Sequence, residues 1–471
     1  MLLAAVVLAQ YTSTLDVFET SRLDARINQP APVVPSPPRE IAIGADASLA
    51  PSFRLRLNDR RWDWTFTYTP TFAVTDIELA SYAQPVVLNA GSASVAWHDR
   101  SVRVVLSESA SYGWENLAYL YGTPIGAQAT TTAQTTGGST GQSAGQTGGT
   151  TGQPSGQATT QSVGQSGAAA VVPLTLFPYG TSNTSAGVFV RATRMVTVGL
   201  SASYSVTGNL SNNPQANNVY PEQYGPAASA SVTYASSRVD AFVTTASAQD
   251  TTTPMGLCLP TTANPVPSKT TFCRQEEPVL GLQETARHRL SATASVAASL
   301  GVSATIYQLT SGEKAWGILP VGEVSFSDTL SPPPQDARDA VPASAIRLAV
   351  DIAPTINTFT GSPSNRVQVS AALGERLSHM AGLTFSAGAL QTVPLPHPDP
   401  SPLTLLTCGI DLKMRMTRLI SIGIGVQAFW QSQQNAAGVP TTATTYTNVA
   451  TTTGAEVGYV ALTVRLPTLR L

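Results

Sequence analysis

Residues 62–75 read Trp-Asp-Trp-Thr-Phe-Thr-Tyr-Thr-Pro-Thr-Phe-Ala-Val-Thr, and this stretch decides the fold. Large apolar side chains occupy nearly every even position, and small or polar ones occupy nearly every odd position. Successive side chains of a strand point to opposite faces, so a period of two over this length predicts a β-strand with one apolar and one polar face. Because the same alternation recurs along the whole chain, we expect an all-β protein.

The composition narrows the class of protein. Charged residues make up 11% of the chain, well below the roughly 25% of a typical soluble domain. Beyond residue 10, no segment approaches the roughly 20 consecutive apolar residues of a membrane helix. Low charge with dispersed apolar residues is typical of a membrane β-barrel, whose apolar positions alternate with polar ones. The net charge of −2 gives no indication of a nucleic-acid partner.

The alternation and the turn signals predict seventeen strands, at residues 41–57, 62–75, 93–97, 102–114, 187–191, 195–206, 228–234, 239–246, 290–296, 300–307, 321–326, 346–352, 367–373, 383–390, 403–416, 419–430 and 457–466. The clearest long connections are residues 115–185, 207–226, 251–284 and 432–454. Outer-membrane barrels have short periplasmic turns and long outer loops, so we assign the short turns to the periplasm.

An odd number of strands would leave the N-terminal end of the first strand outside and the C-terminal end of the last strand in the periplasm. Residues 15–27 alternate apolar and charged side chains and supply the missing strand, although Glu19 interrupts the apolar face. We therefore predict a transmembrane antiparallel up-and-down β-barrel of about 18 strands with long extracellular loops. Sixteen strands is the alternative.

Two prolines, Pro51 and Pro70, lie inside strand patterns, where proline removes a ladder hydrogen bond. Both are about one membrane crossing away from the turn at residues 58–61. We interpret them as marking the outer rim.

The chain divides into three parts. Residues 1–9 resemble the apolar half of a secretory signal peptide, with a mature chain expected to begin near Gln10; a short disordered N-terminus is the alternative. Residues 10–40 form an N-terminal segment that holds the candidate first strand and a Pro-rich loop, and the barrel occupies residues 41–471. Within it, residues 127–168 consist mainly of Thr, Gln, Gly, Ser and Ala, which predicts a disordered low-complexity loop.

Cys258 and Cys273 flank a segment rich in Pro and Thr. In an oxidising compartment such a pair usually forms a disulfide, which predicts a bridge here, with two free thiols as the alternative. Cys408 lies on the apolar face of its strand, so we interpret it as a small lipid-facing residue.

Two features favour a bilayer over a soluble sandwich. First, the alternate face is rich in Ser, Thr, Asp and Arg, which would pack poorly as a core. Second, aromatic residues gather near strand ends, as expected for an interfacial girdle; the candidates are Trp62, Trp64, Trp97, Tyr112, Trp114, Phe429 and Trp430. In hydrocarbon, unpaired backbone groups are costly, so a spanning sheet must close on itself.

Charged residues on the polar face predict a wet lumen, because buried charges without water or partners are costly. The lumen-lining candidates are Arg54, Arg56, Asp63, Arg103, Arg191, Asp240, Arg347, Asp351, Asp411, Lys413, Arg415 and Arg465, with Glu323 beside them. They either set the selectivity of a channel or pair across strands and rigidify the wall.

No enzyme motif is present: the chain lacks a P-loop, GxSxG, HExxH and CxxC. The four histidines, His98, His288, His379 and His397, share no metal-like spacing; His288 between Arg287 and Arg289 is the nearest to a cluster. We expect no enzyme activity, no cofactor and no metal.

The hairpin that joins Arg54-Leu-Arg56 to residues 62–70, and the one that joins His98-Asp-Arg100 to residues 109–113, resemble those of Gram-negative outer-membrane β-barrels of porin-like size. The strand count is also similar to that of barrels associated with exopolysaccharide export. One departure is the ending Leu-Pro-Thr-Leu-Arg-Leu at residues 466–471, where such barrels commonly end on an aromatic residue.

The resemblance implies a location in the outer membrane of a Gram-negative bacterium. The expected partners are membrane lipid, the barrel-assembly machinery and a solute or polysaccharide. It further implies a porin-like conduit for solutes. A component of polysaccharide export, and a closed structural or surface-display barrel without transport, remain the alternatives.

Overall fold

The protein is described here from a computed structural model. The structure describes residues 12–29, 42–75, 84–116, 176–209, 222–257, 272–308, 314–331, 344–356, 363–394, 403–435, 449–466 and 469–470. The predicted signal segment (residues 1–9), the low-complexity loop (residues 127–168) and Cys258 lie outside the described residues, as does the side chain of Cys273.

Nearly every described residue lies in a strand. The strands are β1 (Thr12–Gln29), β2 (Ala42–Asn58), β3 (Trp62–Thr75), β4 (Gln84–His98), β5 (Val102–Asn116), β6 (Leu176–Arg191), β7 (Val196–Asn209), β8 (Gln223–Tyr234), β9 (Asp240–Leu257), β10 (Phe272–Arg289), β11 (Ala294–Gln308), β12 (Lys314–Ser331), β13 (Ser344–Ile356), β14 (Pro363–Arg376), β15 (Ala381–Pro394), β16 (Leu403–Arg415), β17 (Ile420–Asn435), β18 (Val449–Arg465) and the short β19 (Leu469–Arg470). Among the described residues there is no helix long and apolar enough to cross a membrane.

The sheet closes into a ring. Each strand from β1 to β18 pairs antiparallel with its neighbours in the chain, and β18 returns to pair with β1, placing Val460 opposite Leu23. The two-residue β19 adds a short pairing to Thr14 and Leu15 of β1. The predicted fold class and the count of 18 strands are confirmed, and the alternative of 16 is wrong.

The two ends of the barrel differ. Seven of its connections are tight, at residues 59–61, 99–101, 192–195, 235–239, 290–293, 377–380 and 416–419; we call the end that carries them the turn rim and the opposite end the loop rim. The first residue of β1 and the last residue of β18 also lie at the turn rim.

Five tight turns share a local device that explains why the chain reverses there. A serine or threonine hydroxyl accepts a hydrogen bond from the amide three residues later, as in ST-turns. The donor–acceptor distances are 2.9 to 3.1 Å at Thr193, Ser237, Ser291, Ser378 and Thr417.

One hairpin differs from the prediction. The sequence pattern placed two strands at residues 290–296 and 300–307, whereas the structure has the turn at residues 290–293 and a continuous β11 after it. The partner strand, β10, occupies residues 272–289, most of which were assigned to a loop. The alternation misleads here because β10 presents Glu276 and Glu284 as well as Leu280 and Leu282 on its exposed face.

The strands also run past the two prolines. β2 continues nine residues beyond Pro51 to Ala42, and β3 continues five residues beyond Pro70 to Thr75. The prolines therefore lie inside the β2–β3 pair and do not mark strand ends.

Candidate lumenal wall

The two faces of the closed sheet are chemically opposite. Leu300 and Ile318 are each 76% exposed, whereas Ser52, Ser303 and Thr305 are at most 2% exposed. In a closed ring side chains converge on the concave face, so the crowded polar face is the inner one. The inner face is therefore the candidate functional surface, and the apolar face is turned outward.

The outer face carries aromatic side chains at both ends. Near the turn rim, Trp62 stacks with Trp64 at 6.0 Å between ring centroids and lies 6.5 Å from Trp97 on β4. Toward the loop rim, Phe72, Tyr112 and Trp430 are exposed on the same face. Trp62 and Phe72 are ten residues apart on β3, about 25 Å of height at a rise of about 3.3 Å and a tilt of about 40°.

That height matches the apolar band of a membrane barrel. Of the girdle candidates, Trp114 and Phe429 lie outside the side chains that the structure describes. Trp430 is exposed on the outer face of β17. Cys408 is exposed and lies opposite Ala387 and Ala428 on this outer face.

Paired hydroxyl groups occur on several parts of the inner face. They face each other across neighbouring strands, at Ser107–Ser185 (2.6 Å), Ser111–Thr181 (2.7 Å), Ser201–Ser229 (2.7 Å) and Ser295–Ser327 (2.9 Å). From β7 to β9 the described inner side chains carry no charge. This arc is neutral and hydrophilic.

Charges cover the opposite part of the wall, on β16, β18, β1 and β2. Asp16 is 8% exposed and lies between two arginines. Arg54, itself 8% exposed, is its cross-strand partner on β2. From β18, Arg465 donates to the Asp16 carboxylate with Nη2 to Oδ1 at 3.5 Å. The carboxylate thus joins the first and last strands of the barrel at the closing seam.

A second cluster is built over a glycine. Asp411, Gly425 and Tyr459 lie side by side on β16, β17 and β18. The Asp411 carboxylate and the Tyr459 ring both occupy the space above Gly425: a Cβ there would collide with Asp411 and come within 2.6 Å of the ring. On the far side, the Arg22 guanidinium lies 3.9 Å from the Tyr459 ring centroid, a cation–π contact. Oδ1 of Asp411 is buried and has no hydrogen-bond partner among the described residues.

A third charged contact joins β13 and β14. Nη2 of Arg366 lies 3.1 Å from Oδ2 of Asp351, and the two side chains are 15% and 27% exposed. A partly buried pair of this kind restrains the wall locally.

The structure distributes the predicted lumenal residues around the ring. On the inner face lie Arg54, Arg56, Asp63, Arg103, Arg191, Arg347, Asp351, Asp411, Lys413, Arg415 and Arg465, together with Glu323. They do not converge on one centre.

Asp240 lies on the opposite face from the one predicted. It shares the face of the exposed Phe242, and its carboxylate contacts His288 Nδ1 at 2.6 Å and Ser237 Oγ at 2.7 Å. The prediction failed because the tight turn extends to residue 239, so β9 begins at Asp240 and its alternation starts one residue later than the pattern indicated.

Sequence reasoning missed several inner residues, namely Arg22, Arg287, Arg289, Arg366, Arg376 and Tyr459. Arg287 and Arg289 belong to β10, the strand that was misplaced. Arg22 carried the same alternating signal as the rest of β1. Among the described residues, no group of three or more His, Cys, Asp or Glu is placed to hold a metal ion.

No protein-family model matches this chain, and no curated protein sequence matches it either. Solved structures that it resembles include a transporter, a receptor and a channel. The FrpB iron transporter from Neisseria meningitidis (F5-1 variant, apoprotein form) is 7% identical, with 95% of this chain and 81% of that chain covered and a TM-score of 0.44. The siderophore receptor PirA from Acinetobacter baumannii is 8% identical, with coverages of 95% and 80% and a TM-score of 0.43. The CymD monoaromatic hydrocarbon channel is 11% identical, with coverages of 96% and 88% and a TM-score of 0.30.

Proposed function

We propose that this chain is an integral outer-membrane β-barrel of a Gram-negative bacterium that acts as a passive conduit for small hydrophilic solutes. The observation that carries the proposal is the contrast between the faces of a closed ring. Its outside is mostly apolar, with aromatic side chains near both rims, and its inside is lined by hydroxyl groups and charges. An inner wall of this kind is stable when it borders water.

The size of the ring is adequate for a channel. Eighteen strands about 4.8 Å apart and tilted by about 40° give a backbone radius of about 18 Å. Side chains that project inward by about 6 Å would leave room for water and small solutes, as in porins of 16 to 18 strands.

The proposed orientation places the turn rim in the periplasm and the loop rim outside, since barrels of this kind have short periplasmic turns. The proposed partners are membrane lipid and the barrel-assembly machinery, with no cofactor and no catalytic step.

Planar-bilayer recording tests the conduit directly. The purified full chain should insert and give discrete, long-lived conductance steps at 1 M KCl. Folding into vesicles is checked by gel migration, which differs between boiled and unboiled samples of a folded barrel. Folded chain that gives no current would contradict the proposal and favour a closed structural barrel.

A second candidate is a component of polysaccharide export, and the hydroxyl-lined arc from β5 to β9 favours it. Closely spaced hydroxyls can exchange hydrogen bonds with sugar hydroxyls, and from β7 to β9 the described inner side chains carry no charge. Deletion of the gene should then abolish capsule or matrix, whereas loss of uptake of small solutes with an intact matrix would favour the passive conduit.

A further inference from the structure

Basic side chains of the inner wall gather at the turn rim. Eleven of them lie no more than four residues from the turn-rim end of their strands, and we call this set the turn-side ring: Arg54, Arg56, Arg103, Arg191, Arg287, Arg289, Arg347, Arg376, Lys413, Arg415 and Arg465. They come from eight strands, β2, β5, β6, β10, β13, β14, β16 and β18, and so are spread around the mouth of the barrel except along β7 to β9.

Acidic side chains are few at the same level. Among the described residues of the inner face, Asp16, Asp63 and Asp411 are the carboxylates within four residues of the turn-rim ends. Asp16 pairs with Arg465 at 3.5 Å, and Asp63 lies 3.7 Å from His98. The ring therefore keeps a large surplus of positive charge.

Deeper in the wall, the charges are close to balanced. The described inner side chains there are Arg22 and Arg366 on the basic side and Glu323 and Asp351 on the acidic side. The positive surplus is thus a property of the turn-rim mouth, since the chain as a whole carries −2.

The surplus charge reaches the solvent in the mouth. Arg103, Arg289 and Arg347 are exposed, and they lie on strands β5, β10 and β13. Other members bind to the turns: Nη2 of Arg191 donates to the Arg194 carbonyl at 3.3 Å, and Nε of Arg415 donates to the Thr417 carbonyl at 3.1 Å. A guanidinium that binds a neutral carbonyl keeps its full charge.

We propose that the turn-side ring makes the conduit anion-selective, with a preference for small oxyanions such as carboxylates, phosphates and sulfonates. The inference rests on the proposed function, because it assigns a class of solute to that channel. Rings of arginine and lysine attract anions into a pore, and the planar guanidinium binds oxyanions through two parallel hydrogen bonds. Strands about 4.8 Å apart place the members on adjacent strands (β5 with β6, and β13 with β14) within the Debye length of about 10 Å at 0.1 M salt, so the fields of those members add.

Reversal potentials in a KCl gradient test the selectivity. At 0.1 M mean concentration, chloride should permeate about threefold or more faster than potassium, and the ratio should fall toward one near 1 M, where the Debye length is about 3 Å. The triple variant Arg103→Gln, Arg289→Gln and Arg347→Gln should lower the chloride preference at least about twofold. The matched control removes the same charge from exposed turn residues beyond the strand ends, Arg60→Gln, Arg100→Gln and Arg238→Gln, and should change the ratio less.

A binding measurement separates the ring from the conduit. The trisulfonate dye pyranine should bind the folded wild-type chain in neutral detergent, and its affinity should fall with added salt. Its affinity for the ring variant should be several-fold lower than its affinity for the turn control. The anion preference would be overturned if open channels preferred potassium, or if the ring and turn variants had equal permeability ratios and equal dye affinities. Either result would leave the conduit in place. Dye binding without any current would overturn the conduit and support the ring as an anion site, and the absence of both would overturn both proposals.

Discussion

Ser52 Oγ and Thr69 Oγ1 lie 2.9 Å apart at an interruption of the β2–β3 ladder. The ladder pairs Leu49 with Phe72 and Phe53 with Tyr68, and the register between them places Pro51 opposite Pro70. Since proline has no N–H, two facing prolines remove ladder hydrogen bonds from both strands. The buried hydroxyl pair spans the interruption on the inner face and connects the two strands there.

Ser52→Ala should therefore destabilise the barrel more than removal of a similar hydroxyl from a continuous ladder. It leaves the Thr69 hydroxyl buried without its partner, a loss of about 1–2 kcal/mol in the free energy of unfolding. The control is Ser107→Ala, since Ser107 pairs with Ser185 at 2.6 Å between strands that are fully hydrogen-bonded. Urea unfolding in lipid vesicles measures both, and a larger loss at Ser107 would contradict the bridging role.

Gly425 makes room for the charged cluster at the seam, so a methyl group there should be costly. Gly425→Ala places a Cβ against the Asp411 carboxylate and 2.6 Å from the Tyr459 ring, which must move away from Arg22. Overpacking of this kind typically costs about 1–3 kcal/mol.

Gly423→Ala is the matched control for that change. Gly423 lies two residues away on the same strand and face, where a Cβ would meet its nearest neighbours at 3.8 and 4.0 Å. The midpoint of thermal unfolding should fall for the residue 425 variant and stay near the wild-type value for the other. Equal midpoints would show that the cluster is loosely packed.

The fold was largely predictable because the alternation of side chains is strong and local. A count that returns the chain to the turn rim needs β1, and the total of eighteen matched because β11 was predicted as two strands while β10 was missed. The misplaced β10 shows where prediction from alternation fails. Glu276 and Glu284 lie on its exposed face, so the segment does not show the purely apolar face by which the other strands were predicted. What retains β10 in the ring is its pairing with β9 and β11, which no local pattern records.

The lumenal wall was less predictable than the fold. Alternation assigns a residue to a face, but a one-residue error in a strand boundary reverses the assignment, as happened at Asp240. Contacts such as Arg22 over Tyr459 join strands that lie more than 400 positions apart in the sequence and depend on closure. The grouping of arginines at the turn rim can be recognised only when the boundaries of all strands, and the register of each strand pair, are known.

A charge on the outer face should distinguish a bilayer from water as the surroundings of the barrel. Leu300 is 76% exposed near the middle of β11, so Leu300→Arg would be harmless in a soluble protein. In a membrane it should cost about 2–4 kcal/mol. Ala297→Arg, on the inner face of the same strand, should cost less because its charge would meet the lumen. The folded fraction in vesicles, read from migration before and after boiling, measures both; tolerance of Leu300→Arg would contradict membrane insertion.

The closing seam can be tested by a crosslink. Thr20 of β1 and Thr463 of β18 are directly opposite, with their hydroxyl oxygens 3.3 Å apart, and a directly opposed pair has Cβ atoms about 4.5–5.5 Å apart. In a background with the three native cysteines changed to serine, Thr20→Cys with Thr463→Cys should oxidise to an intramolecular disulfide within the folded chain. The control places the second cysteine at residue 457, which lies on the same strand and face but opposite residue 26, and should not crosslink. The readout is a shift in gel migration that reductant reverses. A crosslink in the control and not in the opposed pair would mean that the strands close in another register, and with it that the barrel does not have the 18-strand seam described above.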